Sequence, residues 1–214
     1  MSQRCPYAAP RRVVLLVLLA CSSLTGCIRS VQPFFADADS VFENSLLGSW
    51  VGLEGRQMWL IGAVDKRSYR LTIVGEDGRG VFAGRLARLK GTLFLDLSPA
   101  EGPRLSQNAL FAALLMPMHV VARVEIAENQ LRVRPLNGVW LDRELRAKPK
   151  LLRHERRGDK EVLLTASSLE LGAFLAAQAK NEEAFGPQEL VLHRLVLPED
   201  EKPDPTAPEP RGEG

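Results

Sequence analysis

The chain has 214 residues, 45% of them hydrophobic and 25% charged, with a formal net charge of +2. That is an ordinary globular composition with enough length for one well-buried core. The near-neutral balance gives no electrostatic basis for binding nucleic acid, and the three cysteines form no Cys-x-x-Cys redox pair.

Arg4, Arg11 and Arg12 precede an apolar run over residues 13–20. The run is too short to span a bilayer, which takes about 20 apolar residues. Leu24-Thr25-Gly26-Cys27 follows. The arrangement resembles a bacterial lipoprotein signal peptide ending in a lipobox. The resemblance implies removal of residues 1–26, a diacylglyceryl group on the Cys27 thiol, and attachment to a membrane through that lipid. Ordinary secretory cleavage near Ala20, or a lipobox at Leu18-Leu19-Ala20-Cys21, is the alternative. Cleavage before Cys27 also removes Cys5 and Cys21, so no disulfide and no thiolate chemistry is left. It takes away three arginines and no acid, which leaves the mature chain close to neutral. Ile28 follows the anchor. By the enterobacterial sorting rule, a residue other than aspartate there implies the periplasmic face of the outer membrane. Residues 27–32 read as the lipidated cysteine and a short tether.

Residues 33–197 are expected to form one β-rich domain. Residues 33–47 read as a helical or irregular lead-in, with Pro33 suited to a first helical position. Strands are predicted over 57–64, 68–74, 81–89 and 92–97. In the second, Tyr69, Leu71 and Ile73 share one face. Glu76-Asp77-Gly78 and Lys90-Gly91 are the turns of this antiparallel meander. Residues 100–107 read as a polar loop, and Asn108 as the cap of a short apolar helix stopped by Pro117. Alternation resumes over 120–126 and 131–134. Asn137 is placed to cap a helix to Arg146, and 161–165 reads as a strand. Ser167-Ser168-Leu169-Glu170 is a capping box that opens a helix to about Lys180. Residues 189–197 read as a last strand. Residues 198–214, rich in proline and acid, are predicted to be a disordered tail.

Gly48-Ser49-Trp50, with the lead-in before it and the meander after it, resembles the Gly-x-Trp motif that opens the first strand of lipocalins and related calycin barrels. The resemblance implies that Trp50 closes the bottom of a barrel. Against it, the hairpins look too few for eight strands, and helices interrupt the second half. A core tryptophan in an unrelated sheet is the competing reading. Trp50, Trp59, Phe111, Met116 and Met118 are the candidate ligand or partner contacts. The run 109–118 reads either as a cavity lining or as core, since methionine adapts to varied partners. Arg146, Lys148, Lys150, Arg153, Arg156 and Arg157 are candidate contacts for anionic head groups, with a solvated loop as the alternative.

His119, His154 and His193 have no metal-ligand spacing, and no Gly-x-Ser-x-Gly elbow is present. Convergence of His119 and His193 with an acid such as Asp96 is left open. No metal or cofactor is expected. The expected fold is α+β and β-rich: a bent antiparallel sheet or partly open barrel with flanking helices. The expected function is non-catalytic, an accessory lipoprotein bound to a partner protein in an envelope complex. The first alternative is a calycin-like carrier of a small apolar ligand. A hydrolase with an unrecognised site comes third.

Overall fold

Alternating apolar residues fold this chain into a closed antiparallel barrel of eight strands. The computed structural model describes residues 28–52, 55–100, 116–158, 161–186 and 188–196. Cys27, Phe111, the expected helix after Asn108, most of the polar loop before it and the acidic tail lie outside the described residues.

The barrel strands are β3 (Gly48–Gly52), β4 (Met58–Ala63), β5 (Tyr69–Gly75), β6 (Gly78–Leu89), β7 (Thr92–Pro99), β8 (Val120–Ile126), β9 (Gln130–Pro135) and β12 (Leu190–Arg194). Each pairs with the next, and β12 pairs with β3 to close the ring. Closure removes the unpaired sheet edges that an open meander would expose. β6 is long enough to serve three neighbours: β5 through Gly84, the short β2 (Ser40–Val41) at Leu86 and Ala87, and β7 from Phe82 onward. Its turn to β7 is Lys90-Gly91, both at positive φ (51° and 81°), as a tight two-residue hairpin with primed geometry requires.

The expected bent sheet or partly open barrel is here fully closed, through the pairing of β3 and β12, which are only five residues each. Too short to show alternation on their own, they are held by their partners. The barrel therefore reaches eight strands although the long hairpins are few.

The inward rows are apolar except at the floor, where Arg88 and Arg194 stand. Trp50, Trp59 and Ile73 lie in cross-strand register, as do Ile61, Leu71 and Phe82. Leu86, Leu95, Ala122, Val124, Leu131, Val133 and Leu192 complete this core. One end of the barrel, here the floor, holds Gly48, Tyr69 and the Lys90-Gly91 turn. The mouth is the end where β7 leaves at Pro99 and β8 begins at Val120.

A second core lies against the outer wall. Helix α1 (Gly138–Ala147) is capped by Asn137, whose side chain accepts from the Val139 and Trp140 amides. Helix α2 (Ser168–Gln178) opens with the predicted capping box. Strands β1 (Arg29–Ser30), β10 (His154–Arg157) and β11 (Glu161–Leu164) form a small sheet. Together they bury Trp140, Leu141, Leu171, Phe174 and Leu175 with the outward-facing Ala87, Phe94 and Val121 of the barrel.

Two expectations change here. Residues 28–30, read as tether, are part of the fold: Ile28 and Ser30 are buried, and β1 runs parallel to β11. The basic run 146–157, weighed as a solvated loop, includes the end of α1 and all of β10. A two-residue strand and a four-residue strand rich in arginine carry too little periodicity to be read before their partner, β11, is known.

Candidate functional site

The barrel interior is the most completely built feature of the molecule. Its floor rests on the Gly-x-Trp motif. Gly48 has φ +118°, a conformation that side chains other than glycine rarely adopt. A Cβ there would also stand 2.9 Å from Nη1 of Arg194. The glycine thus lets the chain turn into β3 while Arg194 crosses beneath it. Trp50 is fully buried and donates its indole N–H to the Leu46 carbonyl at 2.9 Å. Arg194, opposite Trp50 in the β12–β3 register, lays its guanidinium over the indole ring.

Tyr69 completes the floor. Its hydroxyl accepts from the Glu43 amide at 2.7 Å, and its ring stacks on Phe42 with centroids 4.8 Å apart. Burial pushes the phenol pKa up. Tyr69, Leu71, Leu86, Leu95 and Leu131 have no exposed surface, so the lower half of the barrel is packed solid.

Half-buried inward residues stand at both ends of the barrel, Leu93 and Ile126 at the floor end among them. At the mouth, Ile73, Phe82, Val120 and Leu190 line the inward rows but are only half-buried. Trp59 sits one residue inside the mouth edge of β4, 4% exposed, and its indole nitrogen has no hydrogen-bond partner. The charged residues on the inward rows, Arg88 and Arg194, are both at the floor. Arg88 is paired with Glu43, while Arg194 donates to the Leu47 and Ser45 carbonyls.

Of the candidate contacts, Trp50 and Trp59 are brought together as cross-strand neighbours inside the barrel. Met116 and Met118 lead into β8 at the mouth, Met116 being 57% exposed and Met118 half-buried. The basic candidates are largely engaged. Arg146 and Arg156 both reach Asp142, Lys148 reaches Glu144, and Arg153 reaches Glu170. Lys150 and Arg157 are exposed. Burial alone would raise the Asp142 pKa, but the Arg146 and Arg156 hydrogen bonds outweigh it and hold the carboxyl below its usual range.

The histidines separate. His119 Nδ1 lies 3.0 Å from Asp96, on the outer wall, whereas His193 is exposed elsewhere on the barrel surface. His154 Nδ1 contacts the Leu152 carbonyl at 2.8 Å. Asp96 therefore meets one histidine; Ser30 lies across from His119 in a backbone bridge, and its hydroxyl accepts from the Gln32 amide at 3.1 Å. Among the described residues no group of three His, Cys, Asp or Glu side chains is arranged to hold a metal ion.

Sequence reasoning did not find Arg194. Its only signal is one cation at the end of a short apolar strand, and its role depends on β12 pairing with β3. A groove of about 570 Å³ outside the barrel was also not foreseen; Arg134, Arg143, Trp140, Glu182 and Glu189 line it. The groove joins residues from two separate stretches of chain, 134–143 and 182–189. Comparison with known proteins returns no matching family model, no similar curated protein and no similar solved structure.

Proposed function

We propose that this protein is a carrier of a small apolar ligand, held at a bacterial envelope membrane by a lipid on Cys27. The carrying observation is the closed eight-stranded barrel, with Trp50 at a packed floor and half-buried apolar side chains at the opposite mouth. That architecture is compatible with the lipocalin-like barrels that Gly48-Ser49-Trp50 resembles. Mouths of such barrels are a common place for small-molecule sites.

The lipobox resemblance supplies the anchor. The fold adds a consequence. Ser30 exchanges two backbone hydrogen bonds of 2.9 Å with His119, the residue before β8 at the barrel rim. Cys27 is three residues from Ser30, so at most about 10 Å of chain separates a lipid there from the rim. A carrier tethered so closely exchanges ligand beside the bilayer.

Two measurements test this reading. Replacing Cys27 by Ser should abolish labelling by a fatty-acid analogue and leave the precursor uncleaved; label retained at Cys21 would move the anchor. The full chain should bind an apolar fluorescent probe at one per barrel, and no saturable binding would refute the carrier role. The outer groove favours a second reading, an accessory subunit docked to an envelope protein there. It predicts that charge reversal at Arg143 releases a partner and leaves probe binding intact.

A further inference from the structure

We infer that the barrel selects an apolar ligand bearing a neutral hydrogen-bond acceptor, an ester or ketone carbonyl, which the Trp59 indole N–H receives just inside the mouth. The inference rests on the carrier reading and names the ligand's chemical class.

Trp59 Nε1 is a buried donor without an acceptor. Leaving such a group unpaired is costly, and native proteins seldom do so without a reason. Its register neighbours cannot satisfy it. Ile73 is apolar, and Trp50 offers only a donor, already given to Leu46. Among the described residues, the inward side chains around the mouth on β5, β6, β8 and β12, namely Ile73, Phe82, Val120 and Leu190, are apolar, and Gln57, half-buried two residues before Trp59, does not bond to it. The indole N–H is thus free to receive an oxygen brought in by a ligand.

Charge decides which oxygen. A carboxylate at this level would be buried among apolar side chains, with no cation beside it on the described inward rows. The inward arginines are at the floor and already engaged. An ionised group without a partner is expelled from such surroundings, whereas a carbonyl needs only the one donor. Depth is limited as well. The position of Gly84 on the inner wall is so crowded that a Cβ would lie 2.4 Å from Leu71 Cδ1. The ligand therefore occupies the upper half. Phe82 is the side chain placed to yield: its ring lies back over Gly80, where a Cβ would stand 2.7 Å from it.

The test uses the purified full chain and three probes of equal chain length: methyl dodecanoate, dodecanoate and dodecane, with binding followed by competition against an apolar fluorophore. The ester should bind roughly tenfold more tightly than either the acid or the alkane. Trp59→Phe should erase the ester's advantage over the alkane. In the unaltered protein, the Trp59 indole N–H resonance should shift with the ester and stay put with the alkane, a readout that needs no variant. Equal binding of acid and ester, or an ester preference that survives Trp59→Phe, overturns this inference and leaves the carrier reading standing. Failure of all three probes overturns both.

Discussion

The guanidinium of Arg194 lies 4.2 Å over the ring of Trp50 and at the same time donates to three backbone carbonyls, those of Ser45, Leu47 and Glu128. One side chain from the last strand thus fastens the first strand, the turn before it and the β8–β9 turn. Cation–π attraction of this kind contributes about 0.5–2 kcal/mol, and each charge-assisted hydrogen bond adds to it. Arg194→Ala should therefore cost about 2–4 kcal/mol in urea unfolding. Arg194→Lys should recover less than half, because an ammonium cannot fork across separate carbonyls while lying flat on a ring.

The inner wall predicts a different failure at Gly84. A Cβ there would meet Leu71 Cδ1 at 2.4 Å, Leu97 Cδ2 at 3.3 Å and Leu95 Cδ1 at 3.5 Å. Gly84→Ala should destabilise the barrel by overpacking, by about 1–3 kcal/mol. Making room should relieve it. The double variant Gly84→Ala/Leu71→Ala should be less destabilised than the sum of the single changes, and strict additivity of their unfolding free energies would show that the two do not compete for space.

The capping box predicts a pH dependence. The Glu170 carboxylate accepts from the Ser167 hydroxyl at 2.6 Å, the Ser167 amide at 2.8 Å and Arg153 at 3.0 Å. These bonds, the Ser167 hydroxyl first, lower its pKa to about 2. A carboxyl depressed on folding adds stability above its unfolded pKa, near 4.3, and loses it as pH falls towards the folded value. The thermal midpoint of the protein should exceed that of Glu170→Gln at pH 6, and the gap should narrow steadily between pH 4 and pH 2. A constant gap across that range would show that the charge of Glu170 plays no part in the cap.

How much of this was legible from sequence follows the length of the elements. β5 and β7 declare themselves through Tyr69, Leu71 and Ile73 or Leu93, Leu95 and Leu97, and Ser167-Glu170 announces α2. The Gly-x-Trp resemblance implies a closing role for Trp50 against the competing reading of a core tryptophan in an unrelated sheet; the structure buries it at the floor of a closed barrel, and closure has no local signal. It depends on Leu192 meeting Gly52 and on Arg194 meeting Trp50, pairings between residues about 140 apart in sequence. Trp59 was singled out as an aromatic. That its N–H is an orphan is a property of its surroundings, which no local pattern encodes. The docking of residues 28–30 was hidden for the same reason, since β1 exists only against β11.

Asp96 is where the N-terminal segment is fixed to the barrel, and it gives the strongest expected effect. Its side chain is 1% exposed, accepts from the Phe34 amide at 3.2 Å, contacts His119 Nδ1 at 3.0 Å and faces Arg85 Nη2 at 3.6 Å. Arg85 in turn pairs with Asp37 and lies over the Phe35 ring. Phe34 and Phe35 are fully buried behind this cluster. Removing the carboxylate strands a buried amide and leaves Arg85 with only its exposed partner. Asp96→Ala should cost about 3–5 kcal/mol, as the loss of one member of a buried charged cluster does. Asp96→Asn keeps an acceptor for Phe34 and should cost less. The loss should be local before it is global: limited proteolysis should cut the Asp96→Ala variant near residues 31–36 while the barrel stays resistant. Cleavage that begins instead within the barrel strands would mean that Asp96 supports the barrel wall rather than the segment laid across it.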